Sequence, residues 1–265
     1  MKKLTLVLAL LSAACTCPPN FREVTKPAVR TAEDVADISN CQMMHYGTTL
    51  LAEARSAAVV QALLQRGARP EGNIIRNGVV EAGSALAENP RADLVPLLVQ
   101  GGANPDTHAT RSGHSPLCQA LRNGDLARVQ ALLDAGASAD TAGDSSLMAA
   151  MEAPASSQVE LVSLLLNRGA NIYTPNDEGK LPIHVATPSV LPLLLQAGAD
   201  VNARDRLGRT PLFYARSPEH AQQLLQAGAD INARDDRGDT AFDVSDQASV
   251  KSYLLMSGCR SGRRL

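Results

Sequence analysis

Seven glycines at near-regular intervals constrain this chain more than any other feature. They are Gly67, Gly102, Gly136, Gly169, Gly198, Gly228 and Gly258, spaced 35, 34, 33, 29, 30 and 30 residues apart. Each follows a run with paired aliphatic residues, as in Ala58-Val-Val-Gln-Ala-Leu-Leu-Gln-Arg-Gly67 and Glu219-His-Ala-Gln-Gln-Leu-Leu-Gln-Ala-Gly228. A glycine just past an amphipathic run is the expected residue at a helix end that turns through positive φ. Self-similarity at this period is the mark of an array in which short units stack to share one core.

A second element precedes each of these helices. Gly179-Lys-Leu-Pro-Ile-His-Val-Ala186 and Gly208-Arg-Thr-Pro-Leu-Phe-Tyr-Ala215 are its clearest forms, and segments starting at Gly113, Gly143 and Gly238 keep the frame. Looser versions begin at Gly47 and near Ala82. A Ser or Thr caps the start and Pro takes the first helical position, as in Ser115-Pro116 and Thr210-Pro211. Between helix pairs run stretches such as 198–208 and 228–238, whose Asn, Asp and Gly suit tight reversals.

Composition agrees. The 265 residues include no Trp, three Phe and four Tyr, so a core has to be built from Leu, Val and Ala. Close helix-on-helix stacking accepts that supply. The net charge is −2, which excludes the basic surface that nucleic acid requires. His45, His108, His114, His184 and His220 never fall four apart, and no zinc-protease, serine-elbow or phosphate-loop pattern occurs. No catalytic residue, cofactor or metal is expected. Asp200, Asp205, Asp230, Asp235 and Asp236 are interleaved with Arg204, Arg206, Arg234 and Arg237, which disfavours a cation site. The five cysteines (15, 17, 41, 118, 259) lack metal spacing; Cys17 with Cys41 is the one disulfide to consider, and Cys118 and Cys259 read as solitary buried thiols.

These units resemble the ankyrin repeat: a turn ending Asp-x-x-Gly-x-Thr-Pro-Leu-His-x-Ala, then a second helix ending Leu-Leu-x-x-Gly-Ala. The resemblance covers about residues 42–260. It implies an all-α solenoid of about six to seven helix-turn-helix repeats with finger loops. The second unit has lost the Thr-Pro-Leu-His core and is expected to be distorted. The fourth carries an insertion, Glu152 to Ser157, and the fifth is short between Ala186 and Gly198. By resemblance, His184 serves structural hydrogen bonding, and Cys118 fills the same slot in its unit.

The resemblance also implies a recognition surface made of turn tips and first helices. The variable positions carried over are Arg111, Ser112 and His114 in the third unit, then Thr141, Ala142 and Asp144 in the fourth. The fifth offers Asp177, Glu178 and Lys180, the sixth Arg206, Leu207 and Arg209, and the last Asp236, Arg237 and Asp239. Arginine is favoured at binding hot spots, so Arg206, Arg209 and Arg111 lead. Tyr214, which follows Phe213, is a candidate exposed anchor, with core packing expected for one of the two.

Ahead of the array, residues 1–14 read as a signal peptide: Lys2 and Lys3, an apolar run from Leu4 to Leu11, then Ser12-Ala13-Ala14. The run is about half the roughly 20 residues that a membrane span needs. Leu-Ser-Ala-Ala-Cys15 resembles a bacterial lipobox with Ser12 where the motif prefers Leu, so Cys15 is expected either to be lipidated or to follow a plain export signal. Thr16 after that cysteine points, by the same resemblance, to the outer membrane. Residues 15–41 form a tether with a short helix starting near Thr31-Ala-Glu-Asp34, and 261–265 a tail. With Lys2 and Lys3 removed, 23 basic residues face 27 acidic ones.

The resemblance thus implies an exported, lipid-anchored protein of the bacterial envelope, facing the periplasm. It would bind another protein without catalysis, as an immunity protein neutralising a toxic effector such as a phospholipase. Two other roles stay open: support of a periplasmic oxidative-stress enzyme of catalase type, and a secreted effector that captures a host protein.

Overall fold

The seven glycines all sit at helix ends with φ between +81° and +98°. At each, the amide of the following residue reaches back five positions to a leucine carbonyl at 2.9–3.0 Å, from Ala68 to Leu63 through to Cys259 to Leu254. The accepting residues, Leu63, Leu98, Leu132, Leu165, Leu194, Leu224 and Leu254, are all fully buried. One local rule therefore closes each helix and pins its main core residue, a burial worth about 1.5–3 kcal/mol per leucine.

This computed structural model describes residues 26–76, 79–107, 114–141 and 144–262. They form two compact blocks, one ending at Pro116 and the other starting at Leu117. In the first block, helix Asn40–Glu53 is followed by Ala57–Gln65, and Ala85–Glu88 by the 3-10 turn Ala92–Leu94 and helix Val95–Gln100. The second block starts at the second residue of helix Pro116–Arg122, which pairs with Leu126–Asp134. It continues with Ser146–Met151 paired with Ala155–Asn167 and Pro182–Val185 with Leu191–Gln196. Two more follow: the 3-10 turn Pro211–Tyr214 with Pro218–Gln226, and Ala241–Val244 with Ala248–Met256.

Each block has two layers. In the second, the first elements pack in series, 146–151 on 182–185, on 211–214, on 241–244, while 126–134 packs on 155–167 and 218–226 on 248–256. In the first, 40–53 packs on 85–88 and 57–65 on 95–100. The insertion in the fourth unit lengthens its second helix to 13 residues, and the short fifth unit is trimmed to helices of 4 and 6 residues.

The expected helix-turn-helix repeats are present and the two blocks are mostly helical, with one addition: the distorted second unit is introduced by an antiparallel hairpin, β1 (Glu71–Arg76) with β2 (Val79–Ser84), in register from Glu71 opposite Ser84 to Arg76 opposite Val79. A smaller pair, β3 (Asp140–Thr141) and β4 (Asp144–Ser145), forms the fourth unit's finger. The helix expected from Thr31 is a 3-10 turn, Asp34–Asp37, with Val35 and Ile38 buried and the Arg66 guanidinium bonded to the carbonyls of Val35, Ala36 and Ile38. Thr210 precedes its element as a cap should, but its hydroxyl makes no cap hydrogen bond and is buried without a partner among the described residues.

Cys118 and Cys259 are buried thiols outside any disulfide among the described residues; the Cys259 thiol lies 3.2 Å from the Ile231 carbonyl. The signal segment, Cys15 and Cys17 lie outside the described residues, as does the side chain of Cys41. Among the described residues no helix is long and apolar enough to cross a membrane.

Candidate functional site

The fingers of the last three units are built on one carboxylate or amide each, seven residues after the closing glycine. Asn176 Oδ1 accepts the amides of Glu178 and Lys180 at 3.0 and 2.9 Å. Asp205 Oδ1 accepts those of Leu207 and Arg209 at 2.8 and 3.0 Å, and Asp235 Oδ1 those of Arg237 and Asp239, both at 3.0 Å. Asp and Asn favour such turns because their short side chains reach backbone amides two residues on. Each finger is thereby closed by its own sequence.

A second column joins successive units. The residue four past the closing glycine accepts an amide from the following unit: Glu71 from Asn104, Asp140 from Asn171, Asn202 from Asp230 and Asn232 from Arg260. Tyr173 fills this column in the fourth unit's turn and donates its hydroxyl to the Gly198 carbonyl at 3.0 Å. Adjacent tips also touch through the backbone, Arg206 N–H on Glu178 O at 3.3 Å and Asp236 N–H on Leu207 O at 3.0 Å. Among the described residues no group of three His, Cys, Asp or Glu side chains is placed to hold a metal. Asp200 and Asp230 accept the amides of Asn202 and Asn232, so both close their own turns.

Beneath the tips lies a half-buried polar cluster. Asp205 Oδ2 accepts the Tyr214 hydroxyl in a short hydrogen bond. The Lys180 ammonium sits 4.4 Å over the Tyr214 ring and 2.7 Å from Glu178. Arg209 Nε is 3.1 Å from Asp235 Oδ2, and that carboxylate is only 1% exposed. His184 Nδ1 accepts the Leu181 amide at 3.1 Å, so its Nε2 carries the hydrogen that faces Ala203 O at 3.0 Å. Burial holds His184 below its ordinary pKa even though these bonds favour the cation. Burial works against the Asp205 carboxylate, but the Tyr214 hydroxyl and the two amides outweigh it and hold the group low. Burial first, and then the Asp205 charge, push the Tyr214 phenol well above its ordinary range.

This geometry sorts the residues expected at the surface. Arg209 and Lys180 turn inward, to Asp235 and to Glu178 with Tyr214, because fingers stacked this closely leave buried carboxylate and ring surface to be matched. Asp239 contributes its backbone, pairing with Asp235 in both directions. Tyr214 is half-buried and Phe213 buried, so neither is an exposed anchor. Arg206, Leu207 and Arg237 remain at the tips: Leu207 is 49% exposed, Arg237 is exposed, and the exposed Arg206 reaches the Asp177 carbonyl. His114 is half-buried at the entry to helix 116–122 and Asp144 lies in β4. Arg111 and Ser112 fall outside the described residues.

Two features escaped the sequence reading: Tyr173, 55% exposed beside the fingers, and the stapling role of Asn176, Asp205 and Asp235. The latter recur at intervals of 29 and 30 residues, a signal as regular as that of the glycines.

The family model described as "Ankyrin repeats (3 copies)" matches residues 84–176 and 151–235. The "Ankyrin repeat, SAM and basic leucine zipper domain-containing protein 1" of Ovis aries is 35% identical over 112 residues, 39% of this chain and 24% of that protein. Its counterpart from Neofelis nebulosa is 36% identical over the same length, again 39% and 24%. The chain thus aligns with about a quarter of the length of these relatives. Among solved structures, the ankyrin repeat domain of Bcl-3, a unique member of the IkappaB protein family, superposes with a TM-score of 0.62 at 26% identity. That match covers 79% of this chain and 97% of the other.

Proposed function

Since this chain belongs to the ankyrin-repeat family, whose fold typically serves as a protein-interaction scaffold without chemistry of its own, we infer that it binds a partner protein through the finger tips of its last three units. One observation carries this reading. Arg206, Leu207 and Arg237 stand exposed on fingers that are held internally by Asp205 and Asp235, so their presentation costs little ordering on binding. An exposed apolar side chain on tips that also carry two exposed arginines suits a partner surface with an apolar knob and carboxylates.

The compartment is read from the amino terminus, where Lys2 and Lys3, the apolar run and Cys15 favour export and lipid anchoring in a bacterial envelope. There a binder without catalysis acts by occlusion, and the role proposed is that of an immunity protein neutralising a toxic effector such as a phospholipase. The test is capture from envelope extracts with wild-type protein and with Arg206→Glu plus Arg237→Glu. The wild type is expected to retain an effector and to protect cells that express it, and the double variant to lose both with its melting point unchanged. Equal retention by the two proteins moves the surface elsewhere; no effector and no protection sink the immunity role. Cys15→Ala is expected to shift the protein from the membrane to the soluble fraction, and unchanged partition removes the anchor.

A further inference from the structure

Eight residues before each closing glycine, in the second helix or just ahead of it, one buried position recurs: Val59, Leu94, Arg128, Leu161, Val190, His220 and Val250. His220 is 2% exposed, and neither ring nitrogen has a hydrogen-bond partner among the described residues. One turn along the same helix, Gln223 Oε1 is also buried and unpartnered. A polar group buried in this way destabilises the fold relative to the aliphatic residue found in five other units. Such a cost, kept at a core position, calls for a use.

The surroundings offer a proton on His220 no compensation. Helix 218–226 packs on the 211–214 turn and on helix 248–256. Their ionisable side chains are Tyr214, whose hydroxyl is taken by Asp205, and Lys251 and Tyr253. The preceding second helix, Leu191–Gln196, has none. On the helix itself Glu219 is exposed to solvent, and Arg216 just before it repels an imidazolium.

We propose that His220 is an acid-operated latch: neutral, it lets helix 218–226 pack; protonated, it loosens the sixth unit and the finger that carries Arg206 and Leu207. The effect on binding rests on the protein-binding reading above, while the effect on the fold does not. Burial first, and Arg216 second, hold the imidazole below its ordinary value, in keeping with the geometry. A depressed histidine leaves stability intact above about pH 6.5, the unfolded value, and lowers it as the pH falls below that. His184 acts in the same direction and cancels when variants that keep it are compared.

The test is denaturant unfolding of the full chain at pH 7.5 and 5.0, for wild type, His220→Val and His220→Gln. Valine is the residue of three other units, and glutamine keeps polarity without titrating. Between the two pH values the wild-type folded-to-unfolded ratio is expected to fall more than that of either variant, by up to about thirtyfold. Hydrogen exchange at pH 5.0 is expected to show lost protection over 218–226 and 248–256 in wild type alone. Equal pH dependence in all three proteins, or protection lost uniformly along the chain, overturns the latch. Retention of the captured partner equally at both pH values overturns its coupling to binding. Absence of any partner counts against the binding surface and leaves the unfolding result to stand or fall by itself.

Discussion

The loops that follow Gly67 and Gly198 start from the same helix end and finish differently. After Gly198, Asp205 gathers the amides of Leu207 and Arg209 and the Tyr214 hydroxyl, and Gly208 turns the tip at φ +69°. After Gly67 no such staple stands at the matching place, and residues 71–76 pair with 79–84 as strands of six. That hairpin leans on helix 40–53: Thr49 Oγ1 accepts the Ile75 amide at 2.8 Å, and Thr48 donates to Arg69 O at 2.8 Å. A two-stranded ribbon is marginal by itself, so its edge has to be satisfied by a neighbour. Where a side chain closes the turn, the finger is self-sufficient; where none does, the backbone pairs with itself and borrows stability.

What the two regions share is a buried leucine whose carbonyl accepts the amide five residues on, at each second helix's closing turn. Leu224→Ala and Leu98→Ala remove equivalent, fully buried side chains, and each is expected to cost about 2–5 kcal/mol in denaturant unfolding. A loss under about 1 kcal/mol in one of them would show that the two cores are not built alike. Next come the glycines. Gly198→Ala meets open space and carries only the strain of φ +92°, about 1–2 kcal/mol. Gly208→Ala adds a clash with the Asp236 carboxylate and backbone, so it is expected to cost more. Equal melting points for the two would refute the close stacking of finger tips.

Asp205→Ala sharpens the contrast. It leaves two finger amides and a phenol unmatched, at about 1–3 kcal/mol. Because the folded carboxyl is held below its usual value, this contribution is present above about pH 4 and fades as acid protonates the group. A difference between wild type and variant that grows in acid would contradict the assignment. The smallest expected effect is that of Thr49→Val, near 1 kcal/mol, with exchange of the Ile75 amide accelerated and the fingers of the last three units untouched. Unchanged exchange at Ile75 would mean that the hairpin stands without the helix.

Much of this was legible in the residues. The glycines and the leucines before them mark every second helix because a positive-φ helix end is a local event that needs no partner. The hairpin is legible too, in Ile74-Ile75 and Val79-Val80 around Asn77-Gly78, a strong hairpin signal set inside a repeat that has lost its Thr-Pro-Leu-His core. Arg209 was not. Its position promised a binding side chain, and only the Asp235 carboxylate, 26 residues away and buried beside it, turns it inward. Lys180 is a similar case, because Tyr214 lies 34 positions on.

By itself, then, the amino-acid order determined where the second helices end and which carboxylates fold their own turns. These depend on backbone angles and on contacts within a few residues. Which arginines stay free, and why a histidine is tolerated at a buried position that most units fill with an aliphatic residue, was decided only when one unit lay against another. Burial and the pairing of charges belong to the space between units, and no local pattern records it.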